Sequence, residues 1–183
     1  LPSQEILASI GEEVLATTKL PLAVDFLKGE ILLTGRVSDG MAQLPHYFTP
    51  FQTFVMSMAE DDKSRFDQKI ALLILERESQ YRAESPTPAG LFIYQFECIA
   101  RNRLGYDNGM IAMAGDPSFD DSWRDWILKV RLRLGATDFT DLIYLRSQHY
   151  VNESRRRTGN DSFETPYPIL FAVQEGRIAK ANR

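Results

Sequence analysis

Residues 85–105, SPTPAGLFIYQFECIARNRLG, gather in one stretch the signals that decide the fold class. Thr87 is a good helix N-cap. Pro88 follows at the first helical position, where the N–H it lacks would have had no intrahelical partner anyway. Leu91, Phe92, Phe96, Ile99 and Leu104 recur at the steps of one buried helical stripe, and Gly105 supplies a C-terminal stop. A helix beginning at Thr87 also turns Ser85-Pro86-Thr87-Pro88 into a tight helical corner.

The same grammar extends in both directions. Upstream, Ser64 caps the longest predicted helix, in which Phe66, Ile70, Leu73, Ile74 and Tyr81 repeat at helical spacing. The unbroken apolar run Ile70–Leu75 implies burial nearly all round. Thr49-Pro50-Phe51-Gln52 reads as a capping box that opens a helix through about Ala59. Ser3 caps a helix over residues 4–18 carrying Ile6, Leu7, Ile10 and Val14, and Pro21 and Gly29 bracket a short second one. Glu30–Thr34 reads as a short strand and Gly35–Gly40 as a turn-rich connection. Downstream, Asn108-Gly109 predicts a turn. Asp116-Pro117-Ser118 opens a helix with Trp123, Trp126, Ile127, Val130 and Leu134, and Thr137 or Asp138 caps a last long one with Phe139, Leu142, Ile143 and Tyr150.

These elements predict a mainly all-α chain, a single multi-helix domain with a short C-terminal hairpin or extended tail. Residues 1–151 form the helical domain. Residues 152–163, which include Arg155-Arg156-Arg157 and Gly159, form a polar linker, and residues 164–183 form the tail. In that tail an apolar strand, a Gly-containing turn and a second strand ending near Asn can be read in Pro168-Ile-Leu-Phe-Ala-Val-Gln-Glu-Gly-Arg-Ile-Ala-Lys-Ala-Asn182. The stretch resembles the opening hairpin of a PAS sensor domain, which implies a β-hairpin there. The later strands and helices of that family are absent. Two strands alone bury too little apolar surface, so the hairpin is expected to need support, with pairing between two copies favoured over docking on the helical body.

At 183 residues, 44% hydrophobic and 25% charged, the chain is an ordinary globular sequence able to bury a sizeable core. Its net charge of -4 and pI near 5.3 oppose a general grip on nucleic acid or anionic membrane. No stretch approaches the roughly 20 apolar residues of a membrane span. The lone Cys98 fits a reducing, cytoplasmic setting. With His46, His149 and Cys98 as the only soft ligands, no metal or other cofactor is expected. Gly-x-x-x-x-Gly-Lys-Ser/Thr, Gly-x-Gly-x-x-Gly and Gly-x-Ser-x-Gly are all absent.

Glu97 carries two readings. It is either one end of an ion pair with Arg101, one turn on, or a ligand-binding or acid–base carboxylate in a pocket with Tyr94, Tyr106, Trp123 and Trp126. His149 lies one turn before Glu153, yet a lone histidine beside Tyr150 reads first as a half-buried helix residue. The tryptophans, three residues apart, form either core or an aromatic ligand surface. Arg124, Lys129, Arg131 and Arg133 make a basic face to which Arg155–Arg157 add charge. A nucleic-acid role would require these groups to align in space, and a solvated face is the expectation. The functional expectation is a non-enzymatic helical interaction or regulatory module with a protein partner or a second copy of itself. The alternative is a small-molecule-binding protein or enzyme with its pocket around Glu97 and Arg101.

Overall fold

The computed structural model describes residues 3–13, 19–64 and 66–183, and in them the chain forms eleven helices and no strand longer than an isolated bridge. The first four are α1 (Ser3–Glu13), α2 (Leu20–Thr34), α3 (Val37–Ala42) and α4 (Pro50–Ala59). The end of the helix expected over 4–18, with Val14, lies outside the described residues. Gly29 does not stop α2, which continues through the expected strand Glu30–Thr34 to Gly35. There a φ of 75° lets the backbone N–H turn back to the Ile31 carbonyl at 2.9 Å. The connection expected at 35–40 contains α3 instead. Its first N–H groups, at Val37 and Ser38, donate to the Glu60 carboxylate at 2.6 and 3.0 Å, a cap supplied from the end of α4 and invisible to local spacing. The capping box of α4 is present as read. Thr49 accepts from the Gln52 backbone and the Gln52 side chain accepts from the Thr49 backbone.

The next helices are α5 (Gln68–Ala83), α6 (Pro88–Asn102), α7 (Tyr106–Ala114) and α8 (Asp121–Arg131). Asp67, rather than Ser64, caps α5 by accepting from Lys69 and Ile70. The Ile70–Leu75 run is not buried all round. Ala71 and Ile74 face the core while Ile70, Leu72 and Leu73 remain 40%, 40% and 49% exposed. Thr87 caps α6 as expected. The turn predicted at Asn108-Gly109 is the inside of α7, because Gly109 packs where a Cβ would meet Ile99 Cδ1 at 2.7 Å. The glycine permits close helix approach there.

The last helices are α9 (Phe139–Tyr144), α10 (Gln148–Thr158) and α11 (Val173–Ala181). The long helix expected after Asp138 is thus broken in two, and Ser147 caps the second part by accepting from Tyr150 at 3.2 Å. α10 runs through most of the expected linker. The tail holds no hairpin, which corrects the reading implied by the PAS resemblance. Residues 170–171 are extended and bond to Arg146, the Phe171 carbonyl accepts from Gln148, and α11 follows. Gly176, read as a turn glycine, lies inside α11 because a Cβ there would come within 2.1 Å of Ser147 Oγ. The tail packs on the helical body of its own chain. Phe171, 1% exposed, packs its ring 5.1 Å from both Trp123 and Trp126.

Two hydrophobic clusters result. A large one joins α4–α11, and a small one centres on Leu27, Ile31, Val37, Met41 and Met56. α4 contributes to both, and Leu75 touches both.

Candidate functional site

The most buried polar cluster lies where α4, α5, α6 and the α7–α8 connection meet. Glu78 and Asp116 are fully buried. Glu78 Oε2 accepts from Gln52 at 2.6 Å, and Glu78 Oε1 accepts from Arg82 at 2.8 Å and Gln95 at 3.0 Å. Asp116 Oδ2 accepts from Gln95 at 3.0 Å and from Arg82, while Oδ1 accepts from the Ser118 backbone at 2.9 Å. Burial alone would lower the Arg82 pKa, but its bonds to Glu78 and Asp116 outweigh that and raise it. All four carboxylate oxygens already accept bonds and none meets solvent, so these groups tie helices together and present no lone pair to a substrate.

Glu97 and Arg101 form the ion pair expected one turn apart on α6, on the surface at 46% and 77% side-chain exposure. Tyr94 and the tryptophans are not brought together around them. Tyr94 packs at a tilt against Tyr81 at 5.5 Å, whereas Trp123 and Trp126 lie against Phe92, at 5.8 and 4.8 Å. Positions 92 and 94 are two residues apart and so point to opposite sides of α6. Trp123 is core. Tyr106 stacks on Phe96 at 5.6 Å. Burial and the neighbouring Cys98 push the Tyr94 hydroxyl well above the usual tyrosine range, and burial raises the Cys98 thiol to about 11. Neither is poised as a nucleophile or base near neutrality. Among the described residues, no group of three His, Cys, Asp or Glu side chains is placed to hold a metal, and no helix is long and apolar enough to cross a membrane.

Trp126 differs from the other candidates. Although only 3% exposed, it floors a cleft of about 220 Å³ with Val130 and Leu142, and Lys129, Arg133 and Arg146 line the same cleft beside Tyr167. None of the lining residues is acidic. The basic face read on α8 divides here. Arg124 pairs with Asp121 at 2.9 Å and Arg131 with Asp107 at 3.0 Å, whereas Lys129 and Arg133 line the cleft without an ion-pair partner among the described residues. Arg146 donates to the Pro168 carbonyl at 3.2 Å and lies 4.6 Å from the centre of the Tyr167 ring. Its pKa is lowered by burial, against a raising influence from Tyr167, and lowered further by the Arg133 charge. The cleft therefore has two guanidinium groups and one ammonium group among its lining residues.

Sequence reasoning put Lys129 and Arg133 on one basic face and singled out Trp126 on the same helix without joining them in a site, and it missed Arg146 and Tyr167. Arg146 stands at the α9–α10 break, where a continuous helix was expected. His149 stays near Glu153 as the spacing suggested, at 3.8 Å, but the Glu153 carboxylate is already held by Lys180 and by the Tyr144 hydroxyl at 2.7 Å. A scan of family models and searches of curated proteins and of solved structures return no match to this chain, so the cleft has to be interpreted from its own chemistry.

Proposed function

We propose that this chain is a non-enzymatic helical module that recognises an anionic group through the cleft between α8 and α9. One observation carries the reading. Lys129, Arg133 and Arg146 converge on an apolar floor that contains Trp126, and no acidic side chain lines the cleft to neutralise them. An anion seated there would accept charge-assisted hydrogen bonds, while the apolar floor keeps the site partly dry and the attraction strong. A catalytic role has less support, because the buried carboxylates are saturated and the one free thiol is raised by burial. Cys98, free and buried, fits a reducing compartment and hence a cytoplasmic location.

The test is calorimetric titration with inorganic pyrophosphate at low salt, comparing the native chain with the double variant Arg133→Gln, Arg146→Gln. The native chain should bind, and the variant should bind at least about tenfold more weakly, since each lost charged hydrogen bond is worth ~1.5 kcal/mol or more. Absence of binding, or equal binding by the folded variant, would refute the reading.

A further inference from the structure

We propose that the α8–α9 cleft is one end of a continuous cationic track that binds single-stranded nucleic acid. The inference rests on the anion-binding reading of that cleft and extends it to a polymer.

Charge is distributed very unevenly along the chain. Residues 1–123 hold 10 Lys and Arg against 18 Asp and Glu, whereas residues 124–183 hold 11 against 7. The acidic total thus conceals a basic C-terminal part, and only the local field matters to a polyanion at close range.

Geometry then joins the basic groups. Leu145 lines the α8–α9 cleft and also a second depression of about 220 Å³, which Tyr144, Tyr150, Arg157 and Arg183 share. Arg157 and Glu153 in turn line both that depression and a third, of about 450 Å³, between α10 and α11. The third depression adds His149, Arg156 and Arg177. On α10, positions 149, 152, 153, 156 and 157 follow helical spacing, so they form one face along the helix. The sequence condition for a nucleic-acid role was that the basic groups of α8 and of residues 155–157 align, and shared walls connect them.

The cations on this path are largely unengaged. Among the described residues the side chains of Lys129, Arg133, Arg156, Arg157 and Arg177 have no hydrogen-bond or ion-pair partner, whereas Arg155, which lines none of the three depressions, donates to the Phe163 carbonyl at 3.0 Å. Glu153 is the one acid among the described residues that line these depressions, and Lys180 pairs with it. Arg183 is paired with Asp141 and lies 5.0 Å from the centre of the Tyr144 ring.

Aromatic rings interleave with the charges. Tyr167 is 59% exposed with Arg146 near its ring, and Tyr150 and His149 are half-buried farther along. A cationic groove with aromatic platforms suits a strand whose bases are free to stack and whose phosphates follow one after another. A duplex keeps its bases stacked inside and presents a convex backbone, which cannot enter recesses of this size. An acidic peptide would match the charges and make no use of the exposed Tyr167 ring.

The test is fluorescence anisotropy of the full chain with labelled oligothymidylate and oligouridylate of roughly 12 nucleotides, across a salt series. Pyrophosphate, a hairpin duplex and oligoglutamate serve as competitors. If about five cations meet phosphates, the logarithm of the binding constant should fall with the logarithm of salt at a slope of about −3.5. Arg156→Gln, Arg157→Gln and Arg177→Gln together should reduce that slope by about 2. Tyr167→Ala should weaken binding about fivefold or more, and Lys63→Gln with Lys69→Gln, in the acidic part, should change nothing. If pyrophosphate binds but the oligonucleotides bind no more tightly, or the triple variant keeps the native slope, the track is wrong and the anion cleft stands. If neither binds, both readings fail. Oligoglutamate competing as well as the oligonucleotides would replace nucleic acid with an acidic protein, and preference for the hairpin duplex would overturn the single-strand assignment.

Discussion

Arg82 and Arg146 are both partly buried arginines, and their surroundings differ in a way that separates two parts of the molecule. Around Arg82 the charges are complete. Glu78 and Asp116 accept from it and from Gln52, Gln95 and the Ser118 backbone, so every carboxylate oxygen is bonded even though Arg82 Nε and Gln95 Oε1 have no partner among the described residues, and the pKa is raised. Around Arg146 they are incomplete, with a carbonyl, an aromatic ring and a second guanidinium, and the pKa is lowered. A saturated polar cluster is what a fold needs from buried charge. An unsaturated one at the surface is what a ligand needs, and this contrast, more than the number of basic residues, directs attention to the C-terminal part.

The contrast can be broken by removing each arginine in turn. Arg82→Ala leaves two buried carboxylates without their cation and should cost about 3–5 kcal/mol, lowering the unfolding midpoint by roughly 10 °C. Arg146→Gln gives up one charged bond to a carbonyl and one ring contact, and should cost about 2 kcal/mol, less than the loss at Arg82. Thermal unfolding of both variants checks the pair, and equal losses would mean that Arg146 is structural too.

The comparison sharpens at the tail. Phe171 anchors the segment beside Tyr167 by packing edge-on against both Trp123 and Trp126. Phe171→Ala should cost about 3 kcal/mol through the cavity it leaves, and should also weaken anion binding by freeing the segment that carries Tyr167. Light scattering should find the mass unchanged, because the tail is buried in its own chain. A drop from dimer to monomer would return the tail to an intermolecular role.

Much of this fold was legible wherever the signal is local. Thr49, Gln52, Thr87 and Pro88 act within one turn of themselves, and the helices they open begin where the sequence says. Glycine misled the reading because its punctuation is ambiguous. Gly29 sits in a helix with open space around it, and Gly109 and Gly176 are glycines because Ile99 and Ser147 press against them. Those neighbours are distant in sequence. Residues 152–158 looked like a linker for want of an aliphatic residue, yet Ser147 caps the helix and Val151 and Ser154 bury its inner face, leaving the arginines outside. The cleft was legible only in its residue types. That Arg124 and Arg131 are paired while Lys129 and Arg133 are not depends on Asp121 and Asp107 and on a three-dimensional fit that spacing does not contain.

The smallest effect is expected on α6. The exposed Glu97–Arg101 pair should contribute only a few tenths of a kcal/mol, so Glu97→Gln should shift chemical denaturation barely measurably and leave anion affinity unaltered. Loss of pyrophosphate binding in this variant would move the site from α8–α9 to α6.

The most direct measurement is hydrogen–deuterium exchange of the full chain with and without an oligothymidylate of roughly 12 nucleotides at low salt. A division between a saturated structural part and an unsaturated binding part predicts added protection in peptides covering residues 129–133, 144–157 and 173–177, and none in those covering 50–116. Protection confined to the region around Glu78, Glu97 and Asp116, or absent throughout, would contradict it.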